Sequence, residues 1–188
     1  MASINGIKLK NIKKFTGHDG EPLHQGNIYV NGAKIGTWSM NYSGGICDDI
    51  YLTPPYKEEK LRDKIEEKNR HKAKKLICEN TGKETIIPYS AEELFVDLIS
   101  LNEDEKAFKK AVKAGFPTMV TVTDGYHMIE WRIPPHQANM RDEPLKEMLN
   151  IEETVKKEHF FDNYEVKVYR SLADFDIGIP ITVSQLQG

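Results

Sequence analysis

Residues 118–133 read TMVTVTDGYHMIEWRI, with β-branched and aromatic residues on both sides of Asp124-Gly125. That dipeptide supplies the positive φ values a tight hairpin turn needs. A two-residue turn pairs Val122 with His127, Val120 with Ile129 and Thr118 with Trp131. Val120, Val122, Ile129, Trp131 and Ile133 then share one face. Thr121, Thr123, Tyr126, Met128, Glu130 and Arg132 share the other. Such alternation predicts an antiparallel sheet with one apolar and one wet face.

Upstream, Asn31-Gly32 marks a second hairpin, pairing Val30 with Ala33 and Ile28 with Ile35. A bulge near Gly36 is needed to return Trp38 and Met40 to the core. Ile7, Leu9, Ile12 and Phe15 predict a first strand with a slip in its alternation. Asp48-Asp49-Ile50-Tyr51-Leu52 predicts a short fourth strand.

Between the hairpins, residues 57–78 have helical propensity, acid early and base late, which suits the helix dipole. Ser90-Ala91-Glu92-Glu93 is a capping box opening a helix with Leu94, Phe95, Leu98 and Leu101 inward. Asn102 predicts the cap of a next helix, closed by Gly115 and Pro117 and packed as a helical hairpin. Downstream, Asp142-Glu143-Pro144 starts one further helix reaching Val155. Tyr164, Val166 and Val168 alternate as a strand. Residues 177–183 alternate too, and Pro180 confines them to a sheet edge. The expected fold class is therefore α+β, an antiparallel sheet of β-hairpins packed with about four helices. We expect one domain, with a β-meander over 1–55, a helical segment over 56–115, and a hairpin, helix and final strands over 116–188.

With 26 Lys and Arg against 29 Asp and Glu, the chain is not a nucleic-acid coating protein, though a local basic patch is allowed. Cys47 and Cys78 lie far apart and form no C-x-x-C, which suits a reducing cytoplasm. No apolar stretch is long enough for a signal peptide or a membrane span, so no membrane is expected.

Four groups of residues could carry chemistry. Lys68, Arg70, Lys72, Lys74 and Lys75 crowd five cations into about two helical turns, enough to track phosphates. Lys106, Lys109, Lys110 and Lys113 add a second basic helical surface. Tyr126, Glu130 and Arg132, on one hairpin face, offer an acid, a base and a cation for metal-independent RNA cleavage. The loop over 18–24 holds His18, Asp19, Glu21 and His24 but matches no metal-ligand spacing, so an ordinary turn and no metal are expected. Asp48 and Asp49 are adjacent and point to opposite strand faces, which prevents them sharing an ion. His127 falls on the apolar face as a core-rim residue. No phosphate-loop, dinucleotide, hydrolase or zincin motif occurs, so no cofactor is expected.

The lysine-rich opening Ile7-Lys8-Leu9-Lys10-Asn11-Ile12-Lys13-Lys14, on a compact acidic α+β chain without a cofactor motif, resembles small accessory proteins of phages and mobile elements, including anti-CRISPR and other anti-defence proteins. The resemblance implies a viral protein acting in the host cytoplasm on a host protein, a ribonucleoprotein complex or its guide nucleic acid. The leading expectation is a binding protein that inhibits a host nucleic-acid enzyme or defence complex, with RNA or DNA contact through the basic helix. The rivals are a small nuclease acting on RNA, and a structural domain that oligomerises through the 177–183 edge.

Overall fold

The computed structural model describes residues 1–42, 46–77, 82–124, 127–161 and 163–187. The fold is α+β, and the chain divides into two compact units: residues 1–102 with 176–188, and residues 103–175.

The first unit opens with β1 (Ser3–Ile4), β2 (Ile7–Thr16), β3 (Pro22–Val30), β4 (Ala33–Tyr42) and β5 (Ile46–Leu52). Then come α1 (Glu58–Lys68), β6 (Lys74–Ile77), β7 (Glu84–Ile87) and α2 (Ala91–Lys113), whose residues up to Asn102 belong to this unit. The second unit holds the rest of α2, β8 (Thr118–Thr123), β9 (Met128–Ile133), α3 (Asp142–Met148), α4 (Ile151–Lys157) and β10 (Glu165–Tyr169). A last short strand, β11 (Asp176–Ile177), returns to the first unit.

Five sequential strands and β11 form one sheet in the order β11-β1-β2-β3-β4-β5, antiparallel except where β11 joins β1. Both irregularities expected from sequence are present. The register of β2 against β3 shifts between Lys10 and Lys13, where Asn11 takes a positive φ of 54°. The register of β3 against β4 shifts after Ile28, which pairs with Gly36. That bulge restores Trp38 to the interior, where its ring lies 5.1 Å from that of Phe95. Its indole nitrogen donates to Asp48 at 2.6 Å. Ile7, Leu9, Ile28, Val30, Ile35 and Ile50 fill the same core as Leu61 and Ile65 of α1 and Leu94, Phe95 and Leu98 of α2.

Residues 57–78 do not make one helix. α1 stops at Lys68, where the buried Asn69 amide donates to the Ile65 carbonyl at 2.8 Å, and residues 74–77 pair with 84–87 as a two-stranded sheet. Only Leu61 and Ile65 of α1 are buried, so little packing energy opposed a change of structure beyond them. Residues 91–113 form one helix rather than a helical hairpin. Asn102 turns its amide to the Leu98 carbonyl at 2.7 Å, inside the helix, instead of capping a new one. The capping box is as expected, with Ser90 N to Glu93 at 2.9 Å and Glu93 N to Ser90 Oγ at 3.2 Å.

In the second unit the sheet order is β10-β8-β9. Val122 pairs with Ile129, not His127, because the loop is four residues long. Asp124 closes it, accepting from the His127 backbone at 2.7 Å and lying 2.9 Å from its ring Nδ1. A shift of two residues preserves each residue's face, so the expected apolar face survives. It packs on Leu145, Ile151 and Val155. His127, by contrast, leaves the strand for the loop, where its ring lies 5.3 Å from that of Phe160. The single helix expected after Asp142 is broken at Asn150, whose φ is +51°. The 177–183 strand is absent beyond Ile177, and residues 183–186 form a 3₁₀ turn. Pro180 has no N–H to continue a ladder.

Candidate functional site

Of the residues over 68–75, Lys72 donates to Asp97 at 2.9 Å, Lys74 to Glu93 at 2.7 Å, and Lys75 lies 3.6 Å from Glu84. The hydrogen bond it donates to Glu93 holds the Lys74 ammonium above the usual lysine range. Tyr89 donates to the same Asp97 at 2.5 Å, and the Lys72 ammonium sits 4.6 Å from the Tyr89 ring centre. Burial and that hydrogen bond push the Tyr89 phenol well above its ordinary value. These side chains line a groove of about 710 Å³ between the β6–β7 hairpin and α2. Two of the five expected phosphate contacts, Lys72 and Lys74, thus strap the base of the hairpin to α2, and a third, Lys75, pairs across the hairpin itself. Lys68 and Arg70 keep no ion pair among the described residues.

The β8–β9 hairpin is also less open than expected. Thr121, on its polar face, is only 2% exposed, and Met119 beside it is fully buried. Asp104 of α2 accepts from the Tyr169 hydroxyl at 2.6 Å on this face, where Tyr169 pairs with Met119. Burial raises both groups above their usual ranges. Glu130 and Arg132 form an ion pair with each other at 2.7 Å. Tyr126 lies outside the described residues. Among those described, no group of three His, Cys, Asp or Glu side chains is placed to hold a metal ion. Asp48 and Asp49 point to opposite faces, Asp48 being held by Trp38.

The face of the large sheet opposite its core gathers a different set of residues. Along β2 the core positions Ile7 and Leu9 alternate with Lys8 and Lys10, and after the bulge Lys13 and Phe15 continue the outer row. On β3 the outer residues are Leu23, which is buried beside Phe15, then Gln25, Asn27 and Tyr29. On β4 they are Lys34, Thr37 and Ser39, and on β5 Asp49 and Tyr51. The ladders put Lys10, Asn27, Thr37 and Tyr51 in one row across four strands, and Lys13, Gln25, Ser39 and Asp49 in the next. At about 4.8 Å per strand, each row spans about 14 Å.

Tyr51 is 66% exposed and Phe15 40%. Both rings are open enough for a flat partner to stack on them. Tyr29 is partly covered, with the Lys10 ammonium 4.2 Å from its ring centre. Lys8, Lys10, Lys13 and Lys34 keep no ion pair among the described residues. A depression of about 560 Å³ is lined by Asn11, Lys13, Gln25, Asn27, Thr37 and Tyr51 among others. Amides and hydroxyls there can donate and accept, cations flank them, and an aromatic ring stands beside them.

Sequence reasoning missed this face. Its signal is the alternation Ile7-Lys8-Leu9-Lys10, which sets a row of cations on one side of a strand. Among the described residues, no helix is long and apolar enough to cross a membrane. Compared with protein-family models, curated proteins and solved structures, the chain matches none.

Proposed function

We propose that the chain is a non-catalytic binding protein that takes single-stranded nucleic acid on the outer face of its large sheet, and that it hinders a host nucleic-acid enzyme or defence complex by covering the strand that complex must use. The observation that carries this reading is the exposed Tyr51 ring, set in a row with Lys10, Asn27 and Thr37 and next to a row holding Lys13 and Gln25. Single strands are bound by cations that follow the backbone and aromatic rings on which bases stack. Amides between them can reach base edges that a duplex would hide. Four lysines without acid partners among the described residues supply the first element. Tyr51 and Phe15 supply the second, and Asn27 and Gln25 the third.

Duplex recognition fits less well, because a broad sheet face offers no helix or ribbon to enter a groove. Cleavage of RNA would need a base and a cation free to act. Glu130 and Arg132 are instead bonded to each other.

Ultraviolet crosslinking of the protein to single-stranded RNA, followed by peptide mapping, tests the reading. Crosslinks should fall on the peptides carrying Phe15, Tyr29 and Tyr51. Crosslinks confined to residues 68–75 or to the β8–β9 hairpin, or RNA cleaved during incubation, would overturn it.

A further inference from the structure

The β6–β7 hairpin is a two-stranded sheet, a form of marginal stability in water unless a layer packs on it. One face, with Lys74 and Ile87, turns to α2 and lines the groove with Glu93 and Val96. The other carries Lys75, Ile77, Glu84 and Ile86 and has no cover among the described residues. Ile77 is 62% exposed and Ile86 66%.

Cross-strand register fixes the layout of that open face. Lys75 stands opposite Ile86, and Ile77 opposite Glu84. The four residues therefore form a square, with the cation and the anion on one diagonal and the two isoleucines on the other. A second copy laid face to face, turned about the isoleucine diagonal, sets Ile77 and Ile86 on their own counterparts. The same operation puts Lys75 over Glu84 of the second copy, and Glu84 over its Lys75. Strands of the two hairpins then cross at near right angles, a standard sheet-on-sheet arrangement. Within one chain Lys75 and Glu84 are 3.6 Å apart and mostly exposed, so little is lost when they exchange partners.

We propose that this face is an isologous contact through which two copies of the chain associate, independently of nucleic acid. Two-fold symmetry requires a surface that complements itself, and this square does so in both charge and apolarity. Covering the four residues on both copies removes on the order of 1,000 Å² from water, at the lower limit of specific interfaces. The dimer is accordingly weak and concentration-dependent. It would hold two nucleic-acid faces together, so that one strand meets both at a high local concentration.

Sedimentation velocity of the nucleic-acid-free protein, from micromolar to millimolar, tests the proposal. The average mass should rise with concentration and fall back in high salt. Lys75→Glu or Glu84→Lys alone should weaken association roughly tenfold, by replacing two exposed attractions with repulsions. An equimolar mixture of the two variants should restore it, because each presents the charge the other lacks. A wild-type protein monomeric throughout, single variants that associate undiminished, or a mixture that stays monomeric would each overturn the proposal.

Discussion

Replacing Gly36 with alanine perturbs the point where the fold and the candidate face depend on each other. Gly36 sits in β4 at the bulge, paired with Ile28 on one side and Leu52 on the other. A Cβ built there would lie 2.2 Å from the Tyr51 carbonyl oxygen and 2.9 Å from the Leu52 Cα. Both are backbone atoms, so no side chain can swing aside. β5 must move away from β4, stretching ladder hydrogen bonds and shifting Tyr51. Overpacking of this kind costs about 1–3 kcal/mol, and a clash with two strands belongs near the upper end. In a chain of this size each kcal/mol lowers Tm by roughly 2–4 °C, so a fall of about 10 °C is expected. Gly32→Ala is the control. Nothing lies within 4 Å of its Cβ, but its φ is +84°, so it should cost only about 1 kcal/mol. Thermal melts followed by near-ultraviolet circular dichroism read both. A Gly36→Ala protein at least as stable as Gly32→Ala would refute the close approach of β5 to the bulge.

Three other outcomes follow from the same contacts. The Lys72→Glu, Lys74→Glu double variant should loosen the base of the β6–β7 hairpin, read as faster amide exchange over 74–77, while leaving the salt dependence of RNA binding unchanged. Burial raises the Asp104 carboxyl, so its contribution to stability is fully present below the ordinary aspartate value near 3.9 and is lost as pH rises through its folded value. Asp104→Asn, which can still accept from Tyr169, should therefore gain on wild type in urea melts as pH rises from acid to neutral, and a pH-independent difference would remove the ionisation argument. Tyr51→Ala should leave Tm unchanged, because the ring is exposed, yet weaken single-strand binding by about 1–3 kcal/mol, or roughly 5- to 150-fold in anisotropy titrations.

What was legible in the sequence was whatever depends on local chemistry. Asn31-Gly32, the slip after Lys10, the bulge at Gly36 and the Ser90–Glu93 capping box are each set by a few neighbouring residues, and each is present. The β8–β9 hairpin keeps the expected faces but not the expected register, because the Asp124 side chain closes a longer loop than the Asp-Gly dipeptide implies. Residues 74–77 leave the expected helix for a tertiary reason. Lys74 finds Glu93 of α2, 19 residues away, Lys75 finds Glu84 of β7, and Lys72, just before the strand, finds Asp97 of α2, 25 residues away. The outer sheet face was hidden for a related reason. Lys10, Asn27, Thr37 and Tyr51 come from four strands, and only the strand order with its two bulges puts them in one row.

The most direct measurement is the affinity for labelled single-stranded RNA as a function of salt, in wild type and in a variant with Lys8, Lys10, Lys13 and Lys34 all changed to glutamine. Four phosphates neutralised on a single strand give a slope of log K against log salt of about −3. We expect that slope in wild type, its near disappearance in the quadruple variant, and a slope unchanged when Lys72 and Lys74 are replaced. A wild type that fails to bind single strands at low salt, or a slope that survives loss of all four sheet lysines, would contradict the assignment of the sheet face as the nucleic-acid interface.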